Sequence, residues 1–343
     1  MQKAALWILA GVIAFLFAGH SKPGYAQDPH FSQYYNSPLY QNPASAGNFS
    51  GLMRFQLNYR SQWNSVTVPY QTMMATCDMI PGRDMRKKTR IGLGASILRD
   101  KAGDSDYGIF HAGLSLAVHH NLNRKGTNVI SFGGLAAYGQ RSINYSALRF
   151  PGQFDGGSYD PGIPNGENFP LSSLSYADFG LGVSWHYNLR KTKYQFGFST
   201  FHLNRPELSF VENSDVRLEP RYNIQGQVSL PIHDNWELIP SAQVESQDNF
   251  RKYIGGLMFR YNNPFKKDAG TIVYSGVYTR FDDALILAAG LEYSLYNFCI
   301  SYDVNYSNLH QASAYQGGVE LSLSVILNKQ VKKVKREINC PVF

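Results

Sequence analysis

The amino-acid sequence predicts an all-β chain, a transmembrane antiparallel outer-membrane β-barrel of about 14 strands, on three observations. The first is alternation. Along 298–307, Phe298, Ile300, Tyr302, Val304 and Tyr306 share one parity, while Cys299, Ser301, Asp303, Asn305 and Ser307 hold the other. Segment 319–328 repeats the pattern, with Val319, Leu321, Leu323, Val325 and Leu327 against Glu320, Ser322, Ser324 and Asn328. Successive β side chains point to opposite faces, so each segment has one apolar face and one polar face. A soluble sandwich alternates over a few strands; here the pattern recurs along nearly the whole chain. The second observation is aromatic content: 23 Tyr, 21 Phe and 4 Trp bring the aromatic share to 14%, enough for a girdle at each membrane interface. The third is the address carried by the first 26 residues.

Residues 1–26 read as a secretory signal peptide. Lys3 supplies the positive start, Ala4–Ala18 is apolar, and Gly24-Tyr25-Ala26 offers small residues before cleavage at Gln27. An uncleaved anchor is the alternative, although the stretch is short for a full span. No other segment approaches the ~18 consecutive apolar residues that a membrane helix needs. Secretion together with a barrel implies the outer membrane of a two-membrane bacterium, with both termini expected in the periplasm.

Residues 27–50 are polar and aromatic and are broken by Pro29, Pro38 and Pro43, so an irregular, extended segment is expected. Such a segment would plug the lumen or cap its periplasmic mouth. Turn signals then divide 51–328 into strands near 52–63, 68–78, 89–99, 106–120, 128–141, 175–188 and 192–203. The second half gives 219–230, 235–245, 250–262, 269–280, 283–294, 296–307 and 315–328, of which 269–280 alternates poorly. Residues 329–343 form a basic tail, expected to be periplasmic.

Connection lengths set an expected orientation. The longest connections, 142–174 and 204–218, fall on one side and the shortest on the other, and barrels keep long loops outside. Charge sorts the same way. The short connections hold Lys87, Lys88, Arg124, Lys125, Arg190, Lys191, Lys266 and Lys267, together with Arg83 and Arg86. The long ones are mixed or acidic, as at Asp104, Asp106, Asp155, Asp160 and Glu167. Basic periplasmic turns suit anionic lipid headgroups and an acidic protein partner equally.

Chemistry is not evident. The formal net charge of +7 comes without a nucleic-acid motif. Cys77, Cys299 and Cys340 are too few and too scattered for a disulfide framework or a zinc site. His119 and His120 are adjacent in a strand and point apart, and His186 has no Ser and acid at matching depth. No catalytic, metal or cofactor residue is assigned. The predicted lumen carries both signs: Arg54, Arg60, Asp78, Asp178, Arg221, Glu237, Glu245, Lys252, Arg260, Glu292, Asp303 and Glu320. A selective pore favours rings of one sign, whereas mixed charges make cross-lumen pairs or hold a plug.

The start Gln27-Asp28-Pro29-His30-Phe31-Ser32-Gln33-Tyr34-Tyr35, continuing Pro38-Leu39-Tyr40-Gln41-Asn42-Pro43-Ala44, resembles the opening of the PorP/SprF family of type IX secretion and gliding-motility outer-membrane proteins. Asn58-Tyr59-Arg60-Ser61-Gln62-Trp63 and Ser301-Tyr302-Asp303-Val304-Asn305-Tyr306-Ser307-Asn308-Leu309 agree with it. The ending Cys340-Pro341-Val342-Phe343 is similar to the family's Cys-Pro-Arg-Phe, with Val342 departing. Gly318-Val319-Glu320-Leu321 resembles a family Gly-x-His-Glu-Ile stretch but lacks the His. The resemblance implies a barrel without enzymatic activity that sits among outer-membrane lipids. Its implied partners are periplasmic ring lipoproteins of the secretion machine, or a large surface adhesin or other secreted protein. Partner contacts are then expected at Gln27, Pro29, Phe31, Tyr34, Tyr35, Pro38, Tyr40, Asn42 and Pro43. The tail adds Lys332, Lys333, Lys335, Arg336, Pro341 and Phe343. A diffusion porin is the alternative, and a hydrolase the distant third.

Overall fold

The computed structural model describes residues 27–64, 68–82, 87–164, 166, 170–210, 216–263, 271–307 and 313–327. The expected signal peptide, the basic tail, and Arg83, Arg86, Glu167, Lys266 and Lys267 lie outside them. Fourteen strands close into one antiparallel barrel, β1 pairing with both β2 and β14. They are β1 Met53–Gln62, β2 Tyr70–Met79, β3 Thr89–Ala102, β4 Tyr107–Asn121, β5 Asn128–Ser142, β6 Ser173–Leu189 and β7 Thr192–Phe201. Then come β8 Arg221–His233, β9 Trp236–Gln247, β10 Phe250–Asn263, β11 Thr271–Arg280, β12 Ala284–Tyr293, β13 Tyr296–Asn305 and β14 Gln316–Leu327. Closure leaves no unpaired edge, which is what allows strands to stand in hydrocarbon.

The faces follow the alternation. On β13, Phe298, Ile300 and Tyr302 are exposed on the outer wall, while Cys299, Ser301 and Asp303 are buried inside. On β6, Phe179 and Leu181 face out and Asp178 and Ser184 face in. Phe179 sits mid-strand, 47% exposed. Phe179→Arg should therefore cost about 2–4 kcal/mol in a bilayer, the penalty for a cation near the midplane. Gln225→Glu, on the lumen side of β8, should cost much less. Urea titration of the folded band in liposomes reads both, and equal losses would invert the faces.

Strand β11 alternates poorly in sequence because its inner face is itself aromatic. Tyr274 and Tyr278 point inward, buried to 4% and 1%, while Val273 and Val277 point outward. The outer face is ordinary, and the unusual residues are those that line the lumen.

The connections differ at the two rims. One rim carries the long links 143–172 and 202–220; the other carries tight turns at 190–191, 234–235 and 294–295. The two described ends of the chain lie at opposite rims. Asp28 stands by Arg141, Arg221 and Gln247, at the long-link ends of β5, β8 and β9, whereas Leu327 pairs with Met53 at the short-turn rim. A shared side for both ends, the expectation from sequence, is not what these positions give.

Candidate functional site: a filled lumen

Residues 28–48 descend through the barrel from the long-link rim to the short-turn rim. They form three short helical turns, Tyr34–Asn36, Pro38–Gln41 and Pro43–Ser45, in place of the extended run expected from the prolines. The reason is positional. Pro38 and Pro43 each open a turn, where a missing N–H costs nothing and the fixed φ is already helical. Asn42 caps the last turn, its Oδ1 accepting from Ala44 N at 2.9 Å.

Two charge clusters grip the upper half. Ser32 and Gln33 donate their backbone N–H groups to the Glu320 carboxylate at 2.7 and 3.0 Å. Ser32 Oγ donates to Asp303 at 2.7 Å and accepts from Arg60 at 2.8 Å and Arg280 at 3.0 Å. Both guanidinium groups also donate to Asp303, each at 2.9 Å. Six residues from β1, β11, β13, β14 and the segment thus share one buried network.

Asp28 centres the second cluster. His202 Nε2 approaches its carboxylate to 2.6 Å, with Arg221 at 3.5 Å and Arg141 at 3.7 Å. The far side of the His202 ring lies 3.0 Å from Asp178. Arg221 stacks its guanidinium 4.4 Å from the Tyr40 and Phe201 ring centres.

Burial alone would lower the His202 pKa, but the Asp28 and Asp178 carboxylates outweigh it and raise the value to about 9. Burial pushes the Asp28 carboxyl up, yet His202, Arg221 and Arg141 hold it well below the carboxylate range. The sign follows from linkage. A raised histidine stabilises fully below its ordinary 6.5 and loses that contribution as pH rises through about 9. Asp28 contributes above its ordinary 3.8 and loses only in strong acid. The temperature at which the compact barrel band converts to the unfolded band should therefore fall from pH 6.5 to pH 9. His202→Gln should flatten that slope, and an unchanged slope would remove His202 from the lock.

Lower in the lumen, polar and apolar contacts alternate around the segment. Gln41 O accepts from Asn223 at 2.8 Å, and Asn42 Nδ2 donates to the carbonyls of Val183 and Phe198 at 3.0 and 3.2 Å. Gly47 N donates to Asp78 at 2.7 Å, and Asp78 is also held by Arg54 at 2.8 Å. His119 Nε2 meets the Ala46 carbonyl at 2.8 Å, and His186 meets Asn48 at 2.5 Å. Tyr34 and Tyr35 sit in an apolar seat made by Ile254, Tyr274, Tyr278, Ile286 and Cys299. Tyr35 stacks on Tyr278 at 5.4 Å.

The wall is shaped for this chain. A Cβ on Gly133 would stand 2.5 Å from Ala44 Cα, and one on Gly92 would stand 2.8 Å from the Ala46 carbonyl carbon. Both glycines let the segment lie directly on the sheet. At Gly133 the close neighbour is the backbone of Pro43 and Ala44 in the segment. Gly317 does adjoin an irregularity, the register shift at Asp303 and Val304.

The residues expected to meet partners are divided by these positions. Phe31, Tyr34, Asn42 and Pro43 are buried, Pro29, Tyr35, Pro38 and Tyr40 are partly buried, and Gln27 is exposed. Their contacts are with the barrel's own wall and within the segment: Phe31 lies with Met74 and Leu98, Tyr40 stacks under Arg221, and its hydroxyl donates to the Pro29 carbonyl. In this conformation the motif is internal, because its amide and aromatic groups are matched by inward residues of the barrel. Lys332, Lys333, Lys335, Arg336, Pro341 and Phe343 lie outside the described residues.

The mixed lumen charges pair throughout. Besides the clusters above, Lys252 binds Glu245 at 3.0 Å, and Arg260 bridges Glu237 and Glu292 at 2.9 and 2.7 Å. Among the described residues no group of three or more His, Cys, Asp and Glu is arranged to hold a metal. A hollow of about 220 Å³ remains between the segment and Gln195, Gln225 and Gln227 on β7 and β8.

The fold has known counterparts in outer-membrane barrels. The toluene transporter TbuX of Ralstonia pickettii shares 11% identity at a TM-score of 0.51, covering 85% of this chain and 94% of its own. A Pseudomonas aeruginosa FadL homologue shares 12% identity at 0.50, covering 84% and 93%. The TodX deltaS2S3 mutant monoaromatic hydrocarbon channel shares 10% at 0.51, covering 84% and 93%. At these identities the likeness is one of fold. No curated protein matches the chain. Residues 24–325, nearly the whole described barrel and its internal segment, match the type IX secretion system membrane proteins PorP/SprF, and the chain belongs to that family.

Proposed function

We propose that this protein is a non-enzymatic outer-membrane component of the type IX secretion and gliding machinery that works by binding other proteins. It would engage periplasmic ring lipoproteins, or anchor a secreted surface protein such as a large adhesin. The supporting observation is the filled lumen: a segment tied to the wall from Asp28 to Asn48 leaves the rims for partners. A diffusion porin needs that space open. In the orientation that keeps long links outside, the short-turn rim with Lys87, Lys88, Arg124, Lys125, Arg190 and Lys191 faces the periplasm.

Affinity capture from gently solubilised outer membranes should recover a secretion-machine component or a secreted surface protein. Recovery of the barrel alone would count heavily against the proposal. Side is tested separately in a cysteine-free background. Ser158→Cys, in the long 143–172 link, should react with an impermeant maleimide on intact cells. Lys191→Cys, in the tight β6–β7 turn, should react only after the outer membrane is breached.

A further inference from the structure

The outer wall has an apolar hollow of about 450 Å³ where β13, β14, β1, β2 and β3 adjoin. Strand register explains it. One row across the sheet runs Phe298, Leu323, Leu57, Ala75 and Ile97, each residue opposite the next. Ala75 is the short side chain between Leu57 and Ile97, which leaves a depression between bulky neighbours. The next row toward the long-link rim runs Leu321, Tyr59, Met73 and Arg99. An apolar trough therefore ends on a cation.

Arg99 is exposed on the outer face of β3, in parity with Ile97. Among the described residues its guanidinium has no ion-pair or hydrogen-bond partner. The nearby acids are committed elsewhere: Asp106 pairs with Lys101 at 2.6 Å, and Asp100 faces inward and accepts from Thr72. Arg99 also lies level with aromatic residues, opposite Met73 beside Tyr59 and opposite Phe110 on β4. Aromatic side chains mark the interfacial zone, where lipid phosphates stand. An unpaired guanidinium at that depth presents forked donors suited to a phosphate.

We propose that this hollow is a lipid-binding site, holding one acyl chain along the Ala75 depression with the lipid's phosphate on Arg99. The orientation proposed above puts Arg99 in the outer leaflet, so the occupant is the phosphorylated, acylated glycolipid of that leaflet, lipopolysaccharide. That choice of leaflet rests on the orientation, which the maleimide labelling reads independently.

The test is lipid retention by delipidated, refolded full-length barrel, counted by native mass spectrometry after incubation with lipopolysaccharide, phosphatidylglycerol or an uncharged diacylglycerol. Wild type should retain lipopolysaccharide in preference to both other lipids. Arg99→Gln should weaken retention about 5-fold, the worth of one basic residue at a lipid surface. Ala75→Phe, which fills the trough, should reduce it with the charge intact. Val277→Phe, lipid-facing on β11 and outside the hollow, should change nothing. Gel mobility of the folded band checks that each variant is a barrel. Unchanged retention in both Arg99→Gln and Ala75→Phe would overturn the site. Equal retention of diacylglycerol would overturn the phosphate contact, and equal retention of phosphatidylglycerol would overturn the assignment to the outer-leaflet glycolipid.

Discussion

Arg60→Leu is expected to destabilise the barrel by about 3–5 kcal/mol, the cost of stranding buried carboxylates by removing their cation. Arg60 is 1% exposed and reaches Asp303 at 2.9 Å and Glu320 at 3.7 Å. Arg280 still covers Asp303 in the variant, so Glu320 bears most of the loss. Two backbone N–H groups, from Ser32 and Gln33, would remain on Glu320, but these are dipoles and not a full charge. Water cannot reach the site to compensate, which also makes the loss insensitive to salt. The double variant Arg60→Leu with Glu320→Leu should recover part of the stability, since removing both members of a buried pair spares the uncompensated charge. Urea midpoints in detergent micelles measure all three proteins. A single variant as stable as wild type would show that the network does not tie the internal segment to the wall.

The barrel was legible because its signal has a period of two and repeats from strand to strand. Each clear strand, such as β13 with Phe298, Ile300 and Tyr302 on one parity, declares its lipid face without reference to its neighbours. The lumen charges could be listed for the same reason, since parity alone puts Arg60, Asp303 and Glu320 inside. Which charge meets which could not be read, because closure of the barrel brings together strands from the two ends of the chain: Arg60 and Asp303 are 243 positions apart in sequence. The seat of the motif residues is hidden by the same limit. Tyr34 and Tyr35 look like exposed anchors until the inward face of β11 supplies Tyr278 against them. One sign of that seat was present in the sequence. A strand whose polar parity contains Tyr274 and Tyr278 is a strand with something apolar to cover inside.

Gly133→Leu should displace the internal segment and convert a poorly conducting barrel into a conducting one. A side chain grown from Gly133 enters the space held by Pro43 and Ala44, whose backbone atoms are the nearest neighbours of a Cβ there. Backbone cannot yield as a flexible side chain does, so the turn Pro43–Ser45 must lift off β5. Lifting it draws on Asn42, which donates to Val183 and Phe198, and on Gly47, which donates to Asp78. The strand ladder does not depend on these bonds. The folded barrel, judged by its compact gel mobility, should therefore persist while planar-bilayer conductance rises. Gly134→Leu is the matched control. It lies one residue further along the same strand but faces lipid, where the nearest atom to a new Cβ is a Leu181 methyl at 3.8 Å. That variant should conduct as little as wild type. A folded Gly133→Leu barrel that stays closed would mean that the segment can re-seat on the wall, and the lumen would then need a different account of its seal.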